Sequence, residues 1–358
     1  MKKVVFFVSS LKKAGGIEKV TSIIASSLAD RGVKVEMLTF IKEIPFFYLS
    51  SSIKITALRN RNTPRFIGFV FDVISLFRYL NRERPDDFIC VGASLYLYAF
   101  LPSVLIKGKY MLWEHFSTEY KWNKYTSVLS RNLAAWYCDL IIVLNADDQQ
   151  YYLKQGASNV HILPNPISIC KNSATKIEKK NVVLSVGRCV KVKGFDLLLK
   201  AWQLIPDKKD WLLYIVGEGE EKNNLYGLLD EYGISDTVRL FPATNSISDY
   251  YEQASIYALS SRSECFPLVL LEAETFSLPI ICFNCGDGVR TLVKDGYNGY
   301  VVPMNDVSMY ARKMCELMGK LDSRQTMGEN GLKISMTYSL ESISNKQTDI
   351  LKMKIKSK

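Results

Sequence analysis

The sequence predicts an α/β protein of two doubly wound, parallel-sheet domains that face a cleft. Three observations predict this fold class. The chain has 358 residues, whereas a single hydrophobic core stops growing near about 250–300 residues. Short apolar runs alternate along it with segments of helical spacing, as in β-α-β units. The alternation begins again after a polar segment at 171–180, so we expect domains at 1–168 and 169–358, with the last helix able to cross back to the first domain.

In the first half, each predicted strand is a short apolar run, and each predicted helix repeats its apolar residues every three or four positions. The first of these helices follows the glycine turn Gly15-Gly16 and ends at Arg31-Gly32. Strands are predicted at 4–8, 33–40, 88–91, 110–113 and 140–144, and helices near 66–81, 95–106, 126–137 and 146–155.

The second half repeats this pattern from a strand at 182–186, which leads through a turn into a helix that ends near Trp202. Ligands of open parallel sheets bind outside the carboxyl ends of the strands. We therefore expect functional residues in the turns that follow strands. The later strands of this half are predicted at 212–216, 238–241, 256–259, 279–283 and 300–302.

The net charge of +10 is concentrated in the first half of the chain. Residues 1–170 contain 21 Lys and Arg against 13 Asp and Glu, or +8, and the remainder contains 25 against 23, or +2. A basic half favours an anionic partner, such as a membrane surface or a phosphate-bearing acceptor. We expect no nucleic-acid partner, because no finger spacing or aromatic RNA-binding signature is present.

The apolar segments do not predict secretion or a membrane span. The apolar start at 4–8 is followed at once by Ser9 and Ser10, and the longest uncharged stretch, 88–106, contains Gly92 and Pro102. We therefore expect a cytoplasmic protein. In that compartment its eight cysteines are expected to be free thiols.

Two glycine-containing turns are candidate phosphate sites. The turn from Lys12 to Glu18 places Gly15 and Gly16 before a helix, whose N-terminus suits an anion. A tight turn without any ligand explains this motif equally well. The turn from Gly187 to Gly194 adds Arg188, a planar cation, and Lys193, a point charge. Together these two could neutralise a diphosphate.

The stretch from Ser263 to Ala273 predicts a loop followed by a helix that starts near Pro267. Glu264 and Glu272 would lie roughly 12 Å apart if this stretch were fully helical, too far to act on one atom. They could instead accept hydrogen bonds from hydroxyl groups at two places along an extended ligand. Free N–H groups near Leu268 and Val269 would face phosphates between those places.

With these motifs the chain resembles the retaining glycosyltransferases of family 4, which have the two-domain, Rossmann-like GT-B fold. The resemblance covers essentially the whole chain. It rests on the order and spacing of five motifs, which are Gly15-Gly16 with Glu18 and Lys19, Gly187-Arg188 with Lys193-Gly194, Val216-Gly217-Glu218-Gly219, Glu264-x7-Glu272, and Asp295-Gly296-x-Asn298-Gly299.

The resemblance implies a role for each of these residues. Arg188 and Lys193 would bind the donor diphosphate, Glu264 the transferred sugar, and Glu272 the nucleotide ribose. The Gly15-Gly16 loop would close over the phosphates. Two positions depart from the family pattern, because Cys265 stands where a glycine usually follows the first glutamate, and Pro242-Ala243 replaces a glycine after a strand.

His115, in Trp113-Glu114-His115-Phe116, resembles a family histidine near the reacting sugar. It could hydrogen-bond a donor hydroxyl or stabilise developing charge, although a histidine at a strand end is more often structural. Glu114 is a candidate acceptor-side base. No Asp-x-Asp motif occurs in the chain, and Cys282 and Cys285 lack a second ligand pair. We therefore expect no cofactor and no metal.

The resulting prediction is a retaining hexosyltransferase that uses a nucleoside-diphosphate sugar. We expect this donor to be a UDP-sugar. The acceptor would be a hydroxyl of a lipid-linked or oligosaccharide molecule in surface polysaccharide synthesis. Two alternatives remain open at this point. One is a nucleotide-sugar epimerase or hydrolase on the same architecture, and the other is a non-catalytic donor-binding subunit.

The first domain also contains a candidate membrane-binding helix. Aromatic residues within it are flanked by arginines, as in helices that lie among lipid headgroups. The alternative is that the aromatic side chains cover the sheet and the arginines are solvated. The residues concerned are Arg59, Arg61, Arg65, Arg78, Arg82 and Arg84, with Phe66, Phe69, Phe71 and Phe77.

Overall fold

The computed structural model describes residues 2–13, 15–59, 65–118, 124–169 and 178–352, without the side chains of 65–67 and 124. The chain forms two compact units. Unit 1 is Met1–Pro166 with Leu340–Lys358, and unit 2 is Ile167–Ser339. The division after Pro166 lies two residues before the predicted boundary, and the last helix belongs to unit 1.

Unit 1 is a seven-stranded parallel sheet with helices on its faces, in the order β3-β2-β1-β4-β5-β6-β7. Its strands are β1 (Lys3–Phe7), β2 (Lys34–Ile41), β3 (Lys54–Arg59), β4 (Asp87–Val91), β5 (Lys109–Trp113), β6 (Leu140–Val143) and β7 (Val160–Ile162). Its first helices are α1 (Gly16–Asp30), α2 (Arg65–Glu83), α3 (Ala93–Leu105), α4 (Lys124–Tyr137) and α5 (Ala146–Lys154).

Unit 2 is a six-stranded parallel sheet in the order β10-β9-β8-β11-β12-β13. Its strands are β8 (Val182–Val186), β9 (Leu212–Val216), β10 (Val238–Phe241), β11 (Ile256–Leu259), β12 (Ile280–Phe283) and β13 (Gly299–Val302). Its helices are α6 (Phe195–Gln203), α7 (Lys222–Glu231), α8 (Ile247–Gln253), α9 (Leu268–Thr275), α10 (Asp287–Leu292), α11 (Val307–Gly319) and α12 (Leu321–Met336).

The predicted α/β class with two parallel sheets is confirmed. Central strands read as continuous apolar runs because helices cover both faces of a parallel sheet. Val5 and Phe7 on β1 and Leu184 on β8 are fully buried. The edge strand β3 was not predicted, because its residues are only half-buried and it pairs only with β2. A half-buried strand of this kind does not need a continuous run of apolar residues, so its sequence does not identify it.

The last helix, α13 (Leu340–Lys352), packs on α1 and completes unit 1. Ser344 Oγ lies 2.8 Å from Ser27 Oγ, and Lys2 Nζ donates to the Leu351 carbonyl at 2.7 Å. These contacts join the two ends of the chain. Within the described ranges, no helix is both long and apolar enough to cross a membrane. The seven cysteines in those ranges are free thiols.

Candidate active site

Two loops of unit 2 leave neighbouring strands where the strand order reverses. From β8 the chain proceeds outward through β9 and β10, and then returns to the other side of β8 at β11. Open α/β sheets bind ligands at this kind of switch point. The loop at 187–194 follows β8 and contains Arg188 and Lys193. The loop at 260–267 follows β11 and contains Glu264.

A pair of side chains that the sequence analysis did not single out fixes these two loops together. Arg262 donates to both carboxylate oxygens of Asp196, at 2.8 and 2.6 Å, and its backbone N–H donates to the Val192 carbonyl at 2.8 Å. Such two-pronged contacts fix geometry as well as adding energy. Ser260 Oγ donates to the Lys193 carbonyl at 3.0 Å. The loop that carries the cations is therefore held against the loop that carries Glu264.

Lys193 and Glu264 form an ion pair at this junction. Lys193 Nζ lies 2.6 Å from Glu264 Oε1, and Ser261 Oγ donates to the same oxygen at 2.6 Å. The two charged side chains are only 21% and 11% exposed. Arg188 is exposed, and no described side chain bonds to its guanidinium group. The structure therefore brings Lys193 and Glu264 together and leaves Arg188 on the same loop with its donors available.

The loop after β12 packs directly against the Glu264 backbone. The Glu264 N–H donates to the Cys285 carbonyl at 3.1 Å. Gly286 has a φ of +146°, and a Cβ there would lie 2.5 Å from the Glu264 carbonyl oxygen, so a side chain is excluded. Cys265 has no positive φ and is buried. A cysteine therefore fits a position where a glycine is usual in the family.

Glu272 lies in the second turn of α9, the helix that starts at Leu268 with Pro267 as its N-cap. Its side chain is buried, with Oε1 accepting from Ser168 Oγ at 2.7 Å and Oε2 from Tyr251 Oη at 3.0 Å. These two hydroxyl groups hold the carboxylate in place at the second turn of the helix. The first N–H groups of α9, at Leu268 and Val269, have no acceptor within the helix.

A buried carboxyl group supports the motif that ends at Gly299. Asn298 donates through Nδ2 to Glu274 Oε1 at 2.7 Å and to the Leu292 carbonyl at 3.0 Å, while its Oδ1 accepts from the Lys294 N–H at 2.7 Å. Glu274 is fully buried, and this burial raises its pKa well above the ordinary value. Asn298 is therefore a structural residue that holds the turn before β13.

In unit 1, the Gly15-Gly16 turn joins β1 to α1. Gly15 is the N-cap of α1, with φ −108° and no side-chain cap. Lys12 and Lys13 precede it and are exposed. The Glu18 carboxylate, in the first turn of α1, lies beside Gly15. The turn therefore places two lysines and the start of a helix at the carboxyl edge of β1, with one carboxylate beside them.

His115 follows β5 and is almost fully buried, at 8% exposure. Its Nε2 has no hydrogen-bond partner among the described residues, and its ring centroid lies 4.5 Å from that of Trp113. Burial lowers the pKa of His115 to about 3. The imidazole is therefore neutral near pH 7 and offers a hydrogen-bonding nitrogen.

Glu114 does not have the geometry of an acceptor-side base, which corrects that expectation. Its Oε1 accepts from the N–H groups of His115 and Phe116, both at 3.1 Å. Its Oε2 accepts from Arg131 Nε at 3.2 Å and from Tyr152 Oη at 3.1 Å. Both Glu114 and Arg131 are fully buried. Glu114 therefore holds the loop that carries His115.

Arg131 binds the same loop at two further points. It donates to the carbonyl oxygens of Thr118 at 2.9 Å and Ser117 at 3.0 Å. The sequence analysis missed Arg131, because a lone arginine in a helical pattern normally indicates a solvated face. The remaining histidine, His161 on β7, forms a hydrogen bond of 2.7 Å with Asn159 Oδ1, which is a structural contact. No cluster able to hold a metal ion occurs among the described residues.

Comparison with known proteins gives the same picture for both halves of the chain. The family described as Glycosyltransferase Family 4 has a sequence model that matches residues 14–169, and the model of the family described as glycosyl transferases group 1 matches residues 169–334. An uncharacterized glycosyltransferase of Haemophilus influenzae is 35% identical over 98% of this chain and 100% of its own length. The amylovoran biosynthesis glycosyltransferase AmsD of Erwinia amylovora is 26% identical over 98% of this chain and 100% of its own.

A third relative, from Campylobacter jejuni, is 24% identical over 92% of both chains and is named as an N-acetylgalactosaminyltransferase acting on a diphosphate-linked undecaprenol. Among solved structures, sucrose-phosphate synthase from Thermosynechococcus elongatus superposes with a TM-score of 0.84 at 19% identity over 98% of each chain. Anabaena HepE in complex with UDP and glucose superposes with a TM-score of 0.82 at 18% identity, over 98% of this chain and 99% of that one. At these identities the structural matches establish the fold.

Proposed function

The chain belongs to the family 4 glycosyltransferases, which have the GT-B fold, and we propose that it transfers a hexose from a UDP-sugar with retention of configuration. The acceptor is a hydroxyl of a lipid-linked or oligosaccharide molecule in surface polysaccharide synthesis. The observation that carries this proposal is the contact of Lys193 with Glu264 at the switch point of unit 2, with Arg188 on the same loop as Lys193. Two cations suit a diphosphate, and the carboxylate suits sugar hydroxyl groups.

The difficult step is departure of the nucleoside diphosphate. The bond from the anomeric carbon to the phosphate oxygen breaks, and its electron pair leaves with the diphosphate. Positive charge then develops on the sugar ring. Arg188 and Lys193 stabilise the leaving group, because fixed charges act strongly where water is excluded. The acceptor oxygen bonds to the anomeric carbon on the same face, and its proton passes to the departing phosphate oxygen.

The remaining site residues bind and orient the donor. Glu264, already positioned by Ser261, hydrogen-bonds the transferred sugar, and Glu272 accepts from ribose hydroxyl groups. The N–H groups of Leu268 and Val269 and the Gly15-Gly16 turn contribute to phosphate binding. We assign His115 a hydrogen bond to the sugar, which its neutral, buried ring allows. We propose that no metal takes part, because these cations and helix ends supply the neutralising charge.

The choice of UDP and of a lipid-linked acceptor is supported by relatives. HepE was crystallised with UDP and with UDP-glucose. The Campylobacter relative is named for an undecaprenol-linked acceptor, and AmsD for amylovoran synthesis. An acceptor with a membrane-embedded tail requires the enzyme to work at a membrane surface. We therefore propose peripheral association with the cytoplasmic face of the inner membrane.

The surface of α2, α3 and α4 supports this association. The side chains of Phe69 and Phe71 on α2 are exposed, whereas Phe77 is half-buried, so the first two do not cover the sheet. Neither α3 nor α4 contains an acidic residue, and on α2 Asp72 is buried. The outer surface of these helices is therefore largely apolar, with the exposed Arg78 on α2. The acid at the end of α2, Glu83, pairs with Lys3 and Arg82. Anionic lipid favours such a surface.

Not all of the predicted arginines contribute to this surface. Arg59 pairs with Asp72, at 3.1 Å, and Arg82 pairs with Glu83, at 3.0 Å. Arg78 and Arg84 are exposed. Arg61 and the side chains of Arg65 and Phe66 lie outside the described residues.

Vesicle sedimentation tests the association. We expect binding to vesicles that contain anionic lipid, loss of binding as salt rises, and weaker binding by a Phe71→Ser/Arg78→Gln variant. The exposed pair Tyr226 and Lys200 on unit 2 supplies a matched control variant, Tyr226→Ser/Lys200→Gln. Protein that stays in the supernatant at low salt would contradict peripheral binding.

Product mass tests the proposed reaction. The protein is incubated with UDP- and GDP-sugars and a bacterial lipid extract, and the products are analysed by mass spectrometry. We expect the mass of one hexose to be added to a lipid-linked acceptor. Free sugar alone would indicate a hydrolase, an isomeric nucleotide sugar would indicate an epimerase, and nucleotide binding without turnover would indicate a donor-binding subunit.

A further inference from the structure

A strip of apolar side chains faces solvent in the segment that follows β2. From residue 42 to 48 the exposure alternates, with Glu43, Pro45 and Phe47 half-buried and the residues between them exposed. Ile44, Phe46 and Tyr48 are 87%, 48% and 81% exposed. We call these three residues the apolar strip. An extended segment at a surface normally turns polar side chains outward, so this arrangement is typical of a surface that binds something.

The strip is held in place by hydrogen bonds to the loop that follows β1. Glu43 Oε2 accepts from Ser10 Oγ at 2.9 Å and from the Leu11 N–H at 2.7 Å. The Phe46 N–H donates to the Leu11 carbonyl at 2.8 Å. The rings of Phe46 and Phe47 meet edge to face at 5.0 Å. The exposed side chains therefore project from a backbone that is fixed on its inner side.

Three lysines lie on the same two loops as the strip and its hydrogen-bond partners. Lys42 lies two residues before Ile44 and is exposed on the same side of the segment. Lys12 and Lys13 follow Leu11 on the neighbouring loop. All three side chains are exposed. Two acids lie near these lysines: Glu43, which accepts hydrogen bonds from the β1 loop, and Glu18, in the first turn of α1. The surface thus combines an apolar strip with a group of cations.

The position of the strip favours a specific ligand over general contact with a bilayer. Strands β1 and β2 are parallel neighbours, so both loops lie at the carboxyl edge of the unit 1 sheet, where ligands of such sheets bind. A ligand that suits this surface has a multiply charged phosphate head joined directly to an apolar chain. We propose that the apolar strip and Lys12, Lys13 and Lys42 bind the prenyl diphosphate part of a lipid-linked acceptor. This assignment rests on the proposed transferase function.

Binding of farnesyl diphosphate, a soluble prenyl diphosphate, tests this assignment. Titrations use the full chain in saturating UDP, so that the donor site cannot take the probe. We expect farnesyl diphosphate to bind more tightly than inorganic pyrophosphate, and farnesol not to bind. Ile44→Ser/Tyr48→Ser and Lys12→Gln/Lys13→Gln should each weaken binding by about tenfold or more, the scale of a lost apolar or charge-assisted contact.

Variants of unit 2 provide the matched control. Leu204→Ser/Tyr226→Ser removes two exposed apolar side chains of unit 2, which are 48% and 49% exposed, and should leave farnesyl diphosphate binding unchanged. Equal binding of farnesyl diphosphate and pyrophosphate, or equal effects of the strip and control variants, would overturn the assignment. The assignment would also be overturned if the strip variants bound farnesyl diphosphate as the wild type does but bound more weakly to anionic vesicles that lack prenyl diphosphate. Normal UDP binding without farnesyl diphosphate binding would reject this inference alone, whereas loss of both would reject the proposed function.

Discussion

The Lys193–Glu264 ion pair predicts an unusual result for the double variant in nucleotide binding. Lys193→Ala removes a cation that neutralises the diphosphate. It also leaves Glu264 without the ionic partner that lies 2.6 Å from its Oε1. An unpaired carboxylate repels the phosphates that arrive beside it. We therefore expect Lys193→Ala to weaken UDP binding more than the loss of one cation alone, and Lys193→Ala/Glu264→Gln to recover part of that loss.

The size of the recovery follows from the contact between the two side chains. Residues in direct contact couple by about 0.5–3 kcal/mol. The two side chains are 21% and 11% exposed, so solvent screens the pair only in part. We expect about 1–2 kcal/mol of coupling, which is roughly a 5- to 30-fold change in affinity. Transfer by the double variant should remain low, because the sugar contact of Glu264 is also lost.

Calorimetric titration with UDP measures this coupling on the wild type, both single variants and the double variant. Lys191→Ala is the matched control, because Lys191 is an exposed lysine on the same loop. It should bind UDP as the wild type does. Strictly additive single-variant effects would refute the reasoning. An effect of Lys191→Ala equal to that of Lys193→Ala would also refute it.

Four further outcomes are expected. In calorimetry, Glu272→Gln should weaken the binding of free UDP. Glu264→Gln should leave UDP binding unchanged and lower the rate of sugar transfer. Equal losses of UDP affinity in the two variants would reject this division of roles. Transferase activity should be unchanged by a metal chelator. Activity that the chelator abolishes and manganese restores would contradict this expectation. Arg131→Met should lower the free energy of unfolding by about 3–5 kcal/mol in urea titrations, because it leaves the buried Glu114 carboxylate without its cation; a loss below about 1 kcal/mol would contradict the pairing. The pKa of His115 is about 3 in the folded protein and 6.5 in the unfolded chain, so the free energy of unfolding should fall as the pH drops from 6.5 to 3. His115→Gln should make this fall smaller. The same dependence of the unfolding free energy on pH in this variant would disprove the role of His115.

Local patterns determined most of the architecture. The strands at 182–186, 212–216, 238–241 and 256–259 were predicted with the bounds observed. Buried parallel strands are uninterrupted apolar runs, so hydrophobicity along the chain is enough to find them. The strand-end turns and their charged residues were also identified from the sequence, because each turn is contiguous. Edge strand β3 escaped prediction for the opposite reason, since its residues are half-buried.

Only the tertiary structure decided which of those residues meet. Lys193 and Glu264 are 71 positions apart, and their contact depends on β11 returning beside β8. Glu272 accepts hydrogen bonds from Tyr251 and Ser168, which come from other segments of the chain.

The role of Glu114 and the outward direction of Phe71 were decided in the same way. Glu114 was a candidate acceptor-side base, but it is buried in an ion pair with Arg131 and holds the loop that carries His115. The direction of Phe71 depends on how α2 rotates on its sheet. Apolar spacing identifies a strand or helix because that signal is local, whereas a side chain's partners depend on strand order and loop path, which the folded chain sets through contacts between distant segments.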